Sequence, residues 1–289
     1  MGLTATPPRA VWVTGAGGFI GSHLLQSASA CAPGWQVIPW TRGQLDLSDL
    51  RAVTKAFSMA PPAAVVHAAA LSRGPDCQAD PARAELLNVE LTRLLGHLAG
   101  DIPLVFISTD LVFDGSRGHY VETDPVNPLS CYAETKARAE GHVLACPRHA
   151  VVRLALSAGV SPTGDRSFTE VLRRRWEAGE RLPFFRDEFR SPLPASSAAR
   201  AIWEVLLSGQ AGLFHLGGSE RLSRWEIGQL VAQHWSIPAH LLRESSLAEH
   251  GEARRPADCS MNCGKLQGLL SFRLPGLRQW TREHPAEPL

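Results

Sequence analysis

No stretch of this 289-residue chain approaches the roughly 20 consecutive apolar residues that a membrane span needs. An excess of one charge is missing too. Lys and Arg number 29 against 28 Asp and Glu, a formal net charge of +1, so neither nucleic acid nor an anionic membrane surface is expected as a partner. The basic run at 173–175 is short and reads as a solvated helix face. Residues 1–9 are small and polar, with no apolar core of a leader peptide, which points to a cytoplasmic protein. Six cysteines (Cys31, Cys77, Cys131, Cys146, Cys259, Cys263) include no CxxC and no Cys/His zinc spacing. Reduced thiols and no metal are the expectation. Tyrosine is scarce: Tyr120 and Tyr132 are the only two, so a tyrosine in a reactive pattern carries weight.

What is present alternates. Apolar runs at 10–14, 35–40, 63–68, 104–108 and 151–154 read as strands, and helical periodicity fills 19–28, 50–57, 85–98 and 131–144. That rhythm predicts an α/β fold, a Rossmann-type doubly wound parallel sheet. Beyond Leu154 it loosens into a helix at 168–178, a Pro-rich irregular stretch at 182–194, a helix at 198–207 and a strand at 212–216. The expected division is a dinucleotide-binding domain over 1–155, completed by 193–217. A smaller, mainly helical substrate lobe would take 156–192 and 218–289.

Gly15-Ala16-Gly17-Gly18-Phe19-Ile20-Gly21 joins the first strand directly to the first helix. Dinucleotide binding needs one glycine for the tight turn, one for approach to the pyrophosphate and one for helix–strand packing, with the helix N-terminus facing the anion. The second strand ends Pro39-Trp40-Thr41-Arg42, without the acid that meets a ribose 2′-hydroxyl in NAD sites. Arg42 suits a 2′-phosphate, so NADPH is expected, with NADH left open. Asp46 lies close enough to serve the adenosine.

Tyr132 and Lys136 stand four residues apart at the start of a helix and share one face. A phenol with a pKa of about 10 is a weak acid–base group at neutral pH, and a nearby ammonium is expected to lower that value. The partner hydroxyl should sit at the C-terminal end of the preceding strand. Thr109 is the choice, with Ser108 as the alternative.

These residues resemble those of the dTDP-4-dehydrorhamnose reductases, extended short-chain dehydrogenases/reductases that reduce a 4-keto nucleotide sugar. The similar stretches are Leu45-Asp46-Leu47-Ser48-Asp49, Val65-Val66-His67-Ala68-Ala69-Ala70, Ile107-Ser108-Thr109-Asp110-Leu111-Val112-Phe113-Asp114-Gly115, Glu122 to Lys136, Phe189-Arg190-Ser191-Pro192, Phe214-His215-Leu216-Gly217-Gly218 and Arg255-Pro256-Ala257-Asp258. The resemblance implies pyrophosphate contacts from Gly18, Phe19 and Ile20, adenine contacts from Asp46 and Leu47, and a nicotinamide side lined by Ala69, Ala70, Leu71, Ser72 and Ile107. It implies Tyr132 as proton donor, Lys136 as its activator and ribose ligand, and Thr109 with Asp110 holding the sugar carbonyl. Leu156 would face the sugar. Read by themselves, Arg254 and Arg255 suit either a nucleotide diphosphate or the solvated surface.

The sequence also departs from that pattern. Leu156 replaces a tryptophan, Ser167 an asparagine, His67 an asparagine and Glu188 a glutamine. The Asp-Glu pair of a 4,6-dehydratase is missing after Thr109, since Asp110 is followed by Leu111. Three readings therefore stand: a nucleotide-sugar reductase, an epimerase, and a non-catalytic NADP-binding regulatory subunit. A homodimer is left open. His23, His97, His142 and His234 read as surface or packing residues, and Trp176, Trp203, Trp225 and Trp235 as packing between lobes or a subunit contact.

Overall fold

The computed structural model describes residues 9–250 and 255–289. Five parallel strands, β1 (Arg9–Thr14), β2 (Trp35–Trp40), β3 (Ala64–His67), β4 (Leu104–Thr109) and β5 (Ala150–Leu154), form the central sheet with Gly212–Leu216 as a sixth. The spatial order is β2-β1-β3-β4-β5 and then Gly212–Leu216, which pairs in parallel with β5. β3, β4 and β5 are buried along their whole length, as a sheet covered on both faces requires.

Chain order reverses direction between β1 and β3, and open α/β sheets bind ligands at such a switch point, beyond the C-terminal strand ends. On one face, the helix α1 (Phe19–Cys31) packs against Ala195–Ser208, where Trp203 is fully buried and donates Nε1–H to the Leu24 carbonyl at 3.1 Å. On the other, Trp12, Phe57, Leu91, Leu95, Phe106 and Val143 form a second core.

A helical run over 81–99 crosses that face, interrupted by a π-helical turn at Leu86–Glu90. Phe168–Glu177 and Arg224–His234, both closed by Ser–Glu capping boxes, contribute to a third core around Trp176, Phe184, Val231 and Trp280. The expectation of an irregular 182–194 needs correction. Leu182–Phe185 pairs with Leu242–Ser245, Phe189–Arg190 with Leu222–Ser223, and Leu193–Pro194 with Ser157–Ala158. Pro183 and Pro194 sit in strands too short to show a period, paired to sequence-distant partners that local pattern does not reveal.

Candidate active site

β1 runs out at Thr14 into Gly15, whose φ is +70°. A Cβ there would lie 2.7 Å from the Ala69 nitrogen, and one at Gly21 would lie 2.1 Å from the Gly15 carbonyl oxygen. Only glycine lets the turn press onto the end of β3 and α1 press onto the turn. Gly18 begins α1 with no side-chain cap, and the first turn of the helix holds no acid. Phe19 and Ile20 therefore present helix-start amides whose natural partner is an anion. These uncapped amides at the start of α1, with no acid in its first turn, are a donor set that fits a pyrophosphate.

After β2, Thr41 donates its amide and hydroxyl to Gln44 Oε1 at 3.1 and 2.9 Å, fixing a turn that lies against Gly17. Arg42 projects from that turn, exposed and without a hydrogen bond or ion pair among the described residues. Asp46 accepts from the Ser48 amide and hydroxyl at 2.9 and 2.6 Å, and these bonds hold its carboxyl below the usual range. Leu47 packs on the second core.

At the end of β3, His67 is completely buried and bridges Thr14 Oγ1 at 2.7 Å and Thr92 Oγ1 at 2.9 Å. The Thr92 hydroxyl donates to the Asn88 carbonyl at 2.7 Å, so it can only accept from His67; Nε2 carries the proton and Nδ1 accepts from Thr14. Burial, and then the Lys136 charge, push the imidazole down to about 3. It is a neutral strut.

Asn88, in the π-helical turn and fully buried, accepts from the Leu71 amide at 2.8 Å and donates to the Leu71 carbonyl at 3.1 Å and to Thr135 Oγ1 at 2.9 Å. It ties the Ala69-Ala70-Leu71-Ser72 segment to the helix Cys131–Leu144 that carries Tyr132 and Lys136. Nothing in the sequence reading singled Asn88 out. The available signal was an amide lodged between Leu87 and Val89 in an apolar helix, where an unpaired polar group is costly.

Lys136 is 2% exposed, with Nζ 3.8 Å from the Phe106 ring centroid and no hydrogen bond or ion pair among the described residues. Burial pushes its ammonium down to about 7, with Glu140 pulling the other way. Glu140 is itself held by Arg153 at 2.8 Å and by the Ser108 hydroxyl at 2.5 Å. Ser108 is thereby committed to a structural cluster.

Tyr132 instead stands near Thr109, which favours the phenolate, but burial first and the Asp110 carboxylate second push the phenol above its ordinary value. The expected lowering by lysine is not found. Lys136 lies over an aromatic ring, its own charge is suppressed by burial, and it is not among the groups acting on the phenol. Ile107, 8% exposed, sits in the core beneath these groups.

Beyond Thr109 lies a buried charge cluster. Asp110 is 4% exposed, its Oδ2 without a hydrogen-bond partner and 3.8 Å from Arg190 Nε. Arg190 reaches Glu188 at 3.2 Å, and Glu188, 2% exposed, also takes Arg255 at 2.9 Å and Arg224 at 3.9 Å. The three guanidiniums hold the Glu188 carboxyl below its usual range against burial, while burial pushes Arg224 down to about 10. A cavity of about 190 Å³ opens here, lined by Leu111, Leu129, Ser130, Arg190, Arg255 and Pro256. Leu156 is not part of its wall and packs on the third core instead. Arg254 lies outside the described residues. Arg190 and Arg224 were not picked out as site residues, because the contacts that bring them to the site, Asp110 and Glu188 respectively, are distant in sequence.

A family model described as the RmlD substrate binding domain matches residues 9–286. Methionine adenosyltransferase 2 subunit beta of Danio rerio is 29% identical over 282 residues, covering 91% of this chain and 86% of that protein. dTDP-4-dehydrorhamnose reductase of Sinorhizobium fredii is 27% identical over 288 residues, covering 93% and 94%. Among solved structures, dTDP-4-dehydrorhamnose reductase of Bacillus anthracis in complex with NADP superposes with a TM-score of 0.86 at 20% identity, covering 95% of this chain and 98% of that one. At that identity the likeness speaks to the fold.

Proposed function

The chain belongs to the RmlD substrate binding domain family, and from that premise we propose that it is an NADPH-dependent reductase of a 4-keto nucleotide sugar. The observation that carries this reading is that Tyr132 and Lys136 stand one helical turn apart on Cys131–Leu144, with the phenol under the influence of Thr109 and Asp110 at the C-terminal end of β4. The sheet's switch point and the glycine cradle lie along the same edge.

Gly15, Gly18, Phe19, Ile20 and Gly21 would hold the pyrophosphate, Arg42 a 2′-phosphate, Asp46 and Leu47 the adenosine, and the Ala69 to Ser72 segment the nicotinamide side. When bound, the dinucleotide supplies a hydride. Tyr132 gives its proton to the ketone oxygen, and Thr109 holds that oxygen in place. Lys136 orients the ribose and sets the charge beside it. The Arg190 and Arg255 guanidiniums fit the nucleotide diphosphate. Positioning and charge stabilisation would provide most of the acceleration.

The test is loss of NADPH absorbance with dTDP-4-dehydrorhamnose and other 4-keto nucleotide sugars. Turnover of at least one supports the reading; tight NADPH binding with no turnover of any sinks it.

The second reading, a dinucleotide-binding subunit of another enzyme, draws on the relatives named methionine adenosyltransferase 2 subunit beta. Tyr132 beside Thr109 favours catalysis, since holding a dinucleotide calls for Lys136 at the ribose but not for a phenol near a strand-end hydroxyl.

A further inference from the structure

We infer that His67 is a positioning residue of the reaction, closing a buried hydrogen-bonded circuit that fixes the nicotinamide side of the cleft against the helix of Tyr132. This rests on the reductase reading above. The circuit starts at Thr14, the last residue of β1 before the glycine turn. Its hydroxyl accepts the Ala69 amide at 3.3 Å and donates to His67 Nδ1 at 2.7 Å. His67 Nε2–H donates to the Thr92 hydroxyl at 2.9 Å, and that hydroxyl donates to the Asn88 carbonyl at 2.7 Å. The Asn88 side chain then grips the Leu71 amide and carbonyl at 2.8 and 3.1 Å, and the backbone from Leu71 to Ala69 closes the path. A branch leaves Asn88 Nδ2 for Thr135 Oγ1 at 2.9 Å, and the Thr135 hydroxyl donates to the Tyr132 carbonyl at 2.8 Å.

Thr14, His67, Asn88 and Thr92 are all fully buried, so a lost link leaves a polar group without water to replace its partner. Each hydroxyl hydrogen has one acceptor, and burial keeps the imidazole neutral, so the direction of the line is fixed. The imidazole is suited to the span. Its Nδ1 lies one bond beyond Cγ and its Nε2 two, which puts an acceptor and a donor at two depths on one rigid plane. An Asn side chain has both polar atoms at the first depth, and a Gln side chain has both at the second.

The π-helical turn Leu86–Glu90 lets Asn88 serve Thr92 with its carbonyl and Leu71 with its side chain. Gly15 is pressed against Ala69, where a Cβ would come within 2.7 Å of the nitrogen, so the glycine turn belongs to the same frame. Three parts must meet for a hydride and a proton to arrive together: the turn, the 69–72 segment and the Tyr132 helix. The circuit joins all three, and a shift of about 1 Å between such parts costs a rate on the order of 10²-fold.

Two readouts test this. With dTDP-4-dehydrorhamnose, His67→Leu should lower kcat by about tenfold or more while the Kd for NADPH stays within about threefold, since the Phe19 and Ile20 amides lie outside the circuit. An unchanged kcat overturns the inference. So does a loss of NADPH binding in step with kcat, which marks a scaffold for the phosphate turn alone. His67→Gln keeps the link to Thr92 and gives up the one to Thr14; it should show the same split, and it decides the matter if His67→Leu does not fold.

The second readout needs no turnover. His67 does not touch Leu71, yet in both variants the Leu71 amide of the ligand-free protein should exchange at least about tenfold faster, although its acceptor Asn88 is intact. Amides of Arg224–His234, in the third core, are the control and should keep their wild-type rates. A Leu71 amide that keeps its protection, or quickens no more than the control amides, overturns the inference. If wild type reduces no 4-keto sugar, the reductase reading fails by itself, and the Leu71 exchange still decides whether His67 holds the 69–71 segment.

Discussion

Lys136 is buried, and the loss of hydration outweighs what the Phe106 ring face and Glu140 offer its cation. Its ammonium is held down to about 7 against an unfolded value of about 10.4. Between those two values the unfolded chain binds more protons than the folded one, so this residue's cost is greatest below pH 7 and fades as pH rises. Lys136→Met should therefore stabilise the ligand-free protein at pH 7 by on the order of 2 kcal/mol, with the gain shrinking toward pH 10. Denaturant melts at several pH values check this, and a loss of stability at pH 7 would contradict it. Arg42 makes the opposite kind of contribution, since it waits exposed and unpaired beside the phosphate turn. Arg42→Ala should weaken NADPH binding by about tenfold and leave NADH within about twofold, read by fluorescence titration.

Elements carry the next layer, because the turn and the helices set where those side chains stand. Gly21→Ala would place a methyl 2.1 Å from the Gly15 carbonyl, with no flexible side chain to give way. Dinucleotide affinity should drop by more than about tenfold and the melting temperature should fall. Asn88→Ala strips partners from the Leu71 backbone and Thr135 together. It should cost about 2–4 kcal/mol in denaturant unfolding and loosen the 69–72 segment, seen as faster amide exchange there.

The glycine turn and the Tyr132/Lys136 spacing were legible in the sequence because each is local: a strand-to-helix joint and an i, i+4 pair. The sheet strands were legible for the same reason, since buried parallel strands read as apolar runs. Asn88 and Arg224 were not, because their partners stand 17 to 47 and 36 residues away, as Leu71 and Thr135, and Glu188 do; Arg190 pairs with nearby Glu188, but its link to the site, Asp110, lies 80 residues away. The lysine's effect on the phenol was misjudged because burial, which acts on both groups, has no mark in a four-residue motif.

At the scale of the molecule, the Glu188 cluster joins the end of β4, through Arg190 and Asp110, to Arg224 and Arg255 beyond the sheet. Removing the carboxylate leaves buried guanidiniums uncompensated, so Glu188→Ala should destabilise by about 3–5 kcal/mol. With its folded pKa depressed, Glu188 contributes stability above the unfolded value of about 4.3, and that contribution is lost as pH falls through the folded pKa. The variant's deficit should accordingly narrow in acid. On the proposed reading the arrangement serves one act, delivery of a proton from Tyr132 to a ketone beside a bound dinucleotide. The most direct measurement is NADPH oxidation with dTDP-4-dehydrorhamnose by wild type and Tyr132→Phe side by side. The account predicts a fall of about 10² to 10⁴ in turnover with NADPH affinity nearly unchanged. Equal turnover by the two proteins, or a matching loss of NADPH binding in the variant, would contradict it.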